Sequence, residues 1–166
     1  VQEFVRTCPE CQRRDERHYH EPLNSSLPSL LFQRWNLDTA HMPSVSGFSY
    51  LLSAREELSH YPVARPLKAI TAKAVAGFLY EEIITRFGVP LQIRTDNGPE
   101  HSAEVRRLLQ AHGIKHLRIT PYNSPSNGAI QVGHKIFRHA ISKLTNGTGK
   151  NWPSLIPAIL MADRAT

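Results

Sequence analysis

The sequence predicts a mixed α/β fold, in which helices pack on a sheet with both antiparallel and parallel strands. Three short segments rich in aromatic and aliphatic residues come first, and strand-like and helical segments then alternate to the end of the chain. This order is typical of a mixed sheet flanked by helices. With 166 residues, 40% of them hydrophobic, the chain is long enough for one well-buried core.

The first 29 residues differ in composition from the rest. They are polar, rich in Arg and His, and contain Cys8 and Cys11, and the stretch EPLNSSLPSLL that ends this region has the composition of an extended linker. We therefore place the domain boundary near residue 30, with residues 1–29 as an appendage and residues 30–166 as the main domain.

The main domain begins with a predicted antiparallel meander. Its three segments are RWNLDTAHMP, GFSYLLSARE and YPVARPL, separated by residues typical of turns, such as Pro43, Ser46 and Gly47. Each segment has the length and side chains of a short strand.

The next segment, TAKAVAGFLYEEIITRFG, predicts the most regular helix of the chain. Thr71 is a candidate N-cap, and Gly88 and Pro90 end the pattern. The apolar residues at helical spacing, which we expect to face the core, are Val75, Phe78, Leu79, Ile83 and Phe87.

Strand and helix then alternate. LQIRT is a short strand, TDNGPEHS a loop, AEVRRLLQAHG a helix and KHLRIT a strand, which makes five predicted strands. PYNSPSNG is too rich in Pro, Asn and Ser to be regular. AIQVGHKIFRHAISKLTNG then resumes a helical period that Gly133 weakens, and NWPSLIPAILMADRAT begins another helix.

Charge and hydropathy limit the partners. Twenty Lys and Arg against fourteen Asp and Glu give a net charge of +6 with neutral His, which suits a polyanion but is equally common in basic proteins without one. No apolar run approaches a membrane span and the first residues lack a signal-peptide pattern, so we expect a soluble, intracellular protein without a membrane partner.

Two aspartates stand where a sheet could bring them together. Asp38 follows Leu37 in the first predicted strand, and Asp96 ends the strand LQIRT. Each alone is compatible with ordinary chemistry, an Asp at an exposed strand edge or in an Asp-Asn-Gly turn. If their strands are neighbours, the pair would suit a divalent ion.

WNLDTAHMP, TDNGPEHS and TPYNSPSNG, in this order and spacing, resemble the catalytic core of integrases from gypsy-type long-terminal-repeat retrotransposons. The resemblance covers roughly residues 30–166. It implies an RNase H-like five-stranded fold, DNA 3′-end processing and strand transfer, DNA and further copies of the chain as partners, and a nuclear location.

The resemblance also implies an active site of two aspartates and a glutamate that hold two Mg²⁺ or Mn²⁺ ions. Asp38 matches the first aspartate and Asp96 the second, but Gln131 occupies the glutamate position. Because a neutral amide replaces a carboxylate, we expect weak binding of the second ion and little activity. Substitution by Glu100 or Glu104 would require a rearranged loop.

The same family pattern assigns further residues. Cys8 and Cys11 match the cysteine half of a His-His-Cys-Cys zinc site, whose histidine half would lie upstream of Val1, and the His18 and His20 spacing is not that of a compact finger. Zn²⁺ binding is therefore expected only with upstream histidines. The residues expected to contact DNA are Asn123, Ser124, Ser126, Asn127, Lys135 and Arg138, although a solvated helix face explains the last two equally well.

Gln131 also leaves a different class of function open. A non-catalytic nucleic-acid-binding or assembly module would keep the fold and the basic surface without the chemistry. A ribonuclease H proper would need four carboxylates, a set that this sequence lacks.

Overall fold

The computed structural model describes residues 30–95, 103–118 and 137–165. Within them, five strands form one sheet in the order β3-β2-β1-β4-β5. The strands are β1 (Arg34–Val45), β2 (Phe48–Glu56), β3 (Pro62–Leu67), β4 (Gln92–Thr95) and β5 (Lys115–Arg118). The first three are antiparallel, and β4 and β5 run parallel to β1. This is the mixed five-stranded sheet that the sequence predicts.

The helix after β3 changes its winding along its length. It consists of α1 (Ala72–Phe78), a π-helical segment (Leu79–Ile84) and α2 (Thr85–Phe87). The predicted cap is confirmed, because the Ala74 amide donates to the Thr71 hydroxyl at 3.1 Å. Gly88 has a φ of +87°, which ends the helix at the predicted residue.

Three further helices complete the described fold. They are α3 (Ala103–Ala111), α4 (residues 137–144) and α5 (Trp152–Arg164). None of the helices in the described ranges has the length and apolarity that are needed to cross a bilayer.

Buried apolar residues form one cluster on each side of the sheet, because successive side chains of a strand point to opposite faces. Trp35 and Leu37 of β1 belong to the cluster that packs against the helix of residues 72–87 and against α3. Ala40 and Met42 belong to the cluster that packs against α4 and α5. We call these sides the first face and the second face.

The turn between β1 and β2 differs from the prediction. Ser46 and Gly47, with φ of +52° and +83°, make the turn, whereas Pro43 lies inside β1 and the prediction of a turn there was wrong. The β1–β2 pairing is irregular between His41 and Val45. A residue without an amide proton fits such a break in the ladder.

Pro43 also contacts α5 and the residues just before it. Its carbonyl accepts a hydrogen bond from the Trp152 indole at 2.8 Å. A Cβ on Gly149 would lie 3.2 Å from the Pro43 Cγ, and the φ of Gly149 is +65°, so only glycine fits this approach without strain. The contact holds α5 against the second face.

Candidate functional site

Asp38 lies in the middle of β1 and is half-buried on the second face, two residues before Ala40. Its Oδ1 accepts the Thr39 amide at 2.8 Å. Its Cα lies opposite that of Ser53 on β2, whose hydroxyl donates to the Asp38 carbonyl at 3.4 Å. The first of these contacts orients the carboxylate of Asp38, and the other two fix its backbone on a central strand.

β4 lies beside β1 and runs in the same direction. The Cα of Leu37 pairs with that of Thr95, the last residue of β4. Asp96 is the next residue in the sequence and lies outside the described residues. The two strands are therefore neighbours, which is the condition under which the aspartates were expected to lie close together.

The helix after the predicted glutamate position packs on the same face as Asp38. Phe137 and Ile141 of α4 are buried in the cluster that contains Ala40 and Met42. Arg138 is exposed on α4, which fits both the expected phosphate contact and a solvated helix face.

Polar side chains continue along the second face beside Asp38. The Cα of Asn36 pairs with that of Arg94, whose guanidinium forms a 2.9 Å ion pair with Glu57. The buried side-chain atoms without a hydrogen-bond partner in the described part of the chain are Asn36 Oδ1, Glu57 Oε2 and Gln92 Nε2. The sequence did not predict this layer: RWNLD and LQIRT each place polar residues at alternate positions, but only the pairing of β1 with β4 brings them together.

A second feature was also missed, on the first face. The Thr95 hydroxyl lies 2.9 Å from His116 Nε2 on β5, and Thr95 is only 1% exposed. Nothing in the local sequence pairs a strand-end Thr with a His on another strand.

The other predicted site residues fall mostly outside the described ranges. Glu104 is exposed in the first turn of α3. The described residues contain no group of three side chains able to hold a metal ion, and Asp38 is the predicted catalytic ligand that they include. The predicted residues outside the described ranges are Cys8, Cys11, His18, His20, Asp96, Glu100, Asn123, Ser124, Ser126, Asn127, Gln131 and Lys135.

Comparison with known sequences relates the chain to viral proteins. A family model described as "Integrase core domain" matches residues 31–124. The chain is 33% identical to a Gag-Pol polyprotein of avian reticuloendotheliosis virus over 136 residues, 81% of this chain and 12% of that protein. The chain is also 34% identical over 135 residues to the Gag-Pol polyprotein of feline leukemia virus, and this match covers 80% of this chain and 8% of the relative. The chain thus spans only a small part of these relatives.

A solved structure supports the fold. It is a cryo-electron microscopy structure of the simian T-cell lymphotropic virus intasome in complex with the PP2A regulatory subunit B56 gamma, and it matches with a TM-score of 0.76. The match covers 98% of this chain and 58% of that chain at 21% identity, and it confirms the predicted fold class. Because the family model covers more than half of the chain, the chain belongs to the integrase core domain family.

Proposed function

We propose that this chain is the catalytic core of an integrase of a gypsy-type retrotransposon, which acts in DNA integration and is impaired by Gln131. The observation that carries the proposal is the position of Asp38, which is half-buried on β1 and adjacent to the parallel strand β4. Asp96 follows the last residue of that strand in the sequence. Family membership supports the reaction class, and the spacing of the sequence motifs supports the gypsy-type assignment.

Asp38 and Asp96 would hold Mg²⁺ or Mn²⁺. Carboxylate oxygens are the ligands that these hard cations prefer, and the surroundings of Asp38 fit this role, since the Thr39 amide orients its carboxylate. The chemistry that two bound ions would supply is activation of an attacking oxygen and stabilisation of the leaving oxygen in phosphoryl transfer, so no protein nucleophile would be needed.

The remaining groups of this chain would position DNA. Arg138 is exposed on α4, on the side of the sheet that carries Asp38, where its guanidinium can bind a phosphate. Lys135 precedes it by three residues in the sequence. The polar loop residues that we propose as further backbone contacts are Asn123, Ser124, Ser126 and Asn127.

Gln131 would weaken the metal site through charge. Two divalent ions bring four positive charges, which three carboxylates partly offset, and an amide removes one of the three. Loss of one charge about 4 Å from a cation forfeits roughly 4 kcal/mol at an effective dielectric constant of 20, equivalent to about a thousandfold in rate.

The wider assignments are also proposals. If the function is integration, we expect the chain to bind the DNA ends of the element and the target DNA. We also expect it to assemble with further copies of itself and to act in the nucleus. We further propose that residues 1–29 end a zinc-binding domain, in which Cys8 and Cys11 bind Zn²⁺ once upstream histidines complete the site.

The test is activity on a preformed branched DNA, in which reversal of strand transfer requires least of other domains. The chain and its Gln131→Glu variant are assayed with Mg²⁺ and with Mn²⁺. We expect the variant to be faster by about a thousandfold, the same factor estimated from the lost charge. Asp38→Asn in the variant should abolish this activity.

Gln110→Glu makes the same chemical change at an exposed position on α3 and serves as the matched control. It should leave the rate unchanged. Equal activity of the unmodified chain and the Gln131→Glu variant would show that another ligand completes the site.

A second function is favoured by Gln131 itself. A chain that keeps the fold and a net charge of +6 without a third carboxylate suits a nucleic-acid-binding or assembly module. If the folded chain and its Gln131→Glu variant are both inactive but bind DNA equally well, this function replaces catalysis.

A further inference from the structure

The end of β4 is held by a hydrogen bond from the neighbouring strand. Thr95 is the last residue of β4 and is 1% exposed, so its hydroxyl is removed from solvent. A buried hydroxyl needs a partner, and His116 on β5 supplies one at 2.9 Å.

The strand register shows which residues lie next to the Thr95–His116 hydrogen bond. The Cα of Thr95 pairs with Leu37 of β1 on one side and with Arg118 of β5 on the other. Leu37 immediately precedes Asp38, and Thr95 immediately precedes Asp96 in the sequence. The side chains of Thr95 and His116 lie on the first face, opposite to the face that carries Asp38, so the sheet itself separates His116 from Asp38.

We propose that His116 is a positioning residue that acts through Thr95 on the carboxylate of Asp96. By fixing the Thr95 side chain from the first face, His116 restricts rotation of the backbone that continues into Asp96 and so holds the two aspartates at the spacing a divalent ion needs. Productive geometry at such sites is narrow, within about 0.5 Å. The inference rests on the proposed function, since it assumes that Asp38 and Asp96 share an ion.

The test measures Mn²⁺ affinity, because this readout does not require an active enzyme. Free Mn²⁺ is counted by electron paramagnetic resonance as Mn²⁺ is added to the full chain and to its His116→Leu and Thr95→Val variants. We expect each variant to bind Mn²⁺ about three- to tenfold more weakly, somewhat less than the roughly 10–100-fold loss typical of groups that hydrogen-bond a ligand directly.

Two further variants separate positioning from general stability. His116→Gln keeps a side chain that can hydrogen-bond the Thr95 hydroxyl and should restore most of the affinity. Leu109→Ala removes buried volume from α3 in the first-face cluster and should destabilise the fold without weakening Mn²⁺ binding. The double variant His116→Leu/Thr95→Val should bind no more weakly than His116→Leu alone, because His116→Leu has already removed the bond that Thr95→Val removes.

The Asp38→Asn variant distinguishes failure of the positioning role from failure of the proposed metal site. One outcome would overturn the positioning role alone: all variants are folded, Asp38→Asn lowers the Mn²⁺ affinity, and His116→Leu and Thr95→Val leave it unchanged. If Leu109→Ala weakens Mn²⁺ binding as much as His116→Leu does, the positioning role is also overturned, because the stability of the fold and not the Thr95–His116 hydrogen bond then sets the affinity. Mn²⁺ affinity unaffected by Asp38→Asn would overturn the proposed metal site together with the inference.

Discussion

Asp38 on β1 and Glu56 on β2 are carboxylates on neighbouring strands that differ in burial and in their hydrogen bonds. Asp38 is half-buried on the second face. Glu56 is fully buried and accepts hydrogen bonds from the amides of Phe32, Leu58 and Ser59 and from the Ser59 hydroxyl. Asp38 could be predicted as a site residue because it follows buried strand residues within a family motif. Glu56 could not, since one of its donors lies 24 residues away.

The hydrogen bonds of Glu56 predict a large cost for a small change. Glu56→Gln would replace one acceptor oxygen by an NH₂ group that faces N–H donors, and we expect the free energy of unfolding to fall by about 2–3 kcal/mol. Urea unfolding followed by circular dichroism measures this.

The matched control is Glu81→Gln, because the Glu81 side chain is 60% exposed and its carboxylate pairs with one cation, Arg65. We expect it to cost about 1 kcal/mol or less. Equal costs for the two variants would argue against Glu56 as a structural carboxylate.

At the scale of elements, the helix of residues 72–87 shows what periodicity can and cannot predict. Its cap, its end and its buried residues were predicted, but the π-helical segment Leu79–Ile84 was not. This segment carries Glu81 and Glu82, which both form ion pairs with Arg65 of β3. Burial lowers the pKa of the Arg65 guanidinium, but these two carboxylates outweigh it and raise the pKa above its usual value. Contacts between distant elements leave no local signal.

The cap of this helix gives an element-scale prediction. Thr71→Ala removes the acceptor for the Ala74 amide, so we expect the free energy of unfolding to fall by about 1 kcal/mol. Thr71→Ser keeps the hydroxyl and should restore most of the stability in the same urea experiment. If Ser is no better than Ala, the hydroxyl does not stabilise the helix.

At the scale of the whole molecule, β1 and β2 connect the two apolar clusters. β1 contributes Trp35 and Leu37 to one cluster and Ala40 and Met42 to the other. Strand alternation and the order of elements were enough to predict this sheet. The polar layer around Asn36 and Arg94 was not predicted, because it depends on the pairing of β1 with β4, and short strands do not specify their register.

Shared strands predict that the two clusters unfold together. Trp35 lies in the first-face cluster and Trp152 in the second-face cluster, and both are fully buried. Trp35→Phe and Trp152→Phe leave one tryptophan each as a local probe. In each variant, the urea midpoint from fluorescence should equal that from circular dichroism. An earlier fluorescence transition for Trp152 would show that the second-face helices unfold independently.

We propose above that Asp38 and Asp96 share a divalent ion. The most direct measurement is a crystal structure of the chain grown with Mn²⁺, with the ion located by its anomalous scattering. We expect an anomalous peak within about 2.5 Å of a carboxylate oxygen of Asp38 and of one of Asp96, and we expect this peak to be lost in Asp38→Asn crystals. Crystals in which Asp38 and Asp96 are both ordered but Mn²⁺ is bound only elsewhere would contradict this proposal.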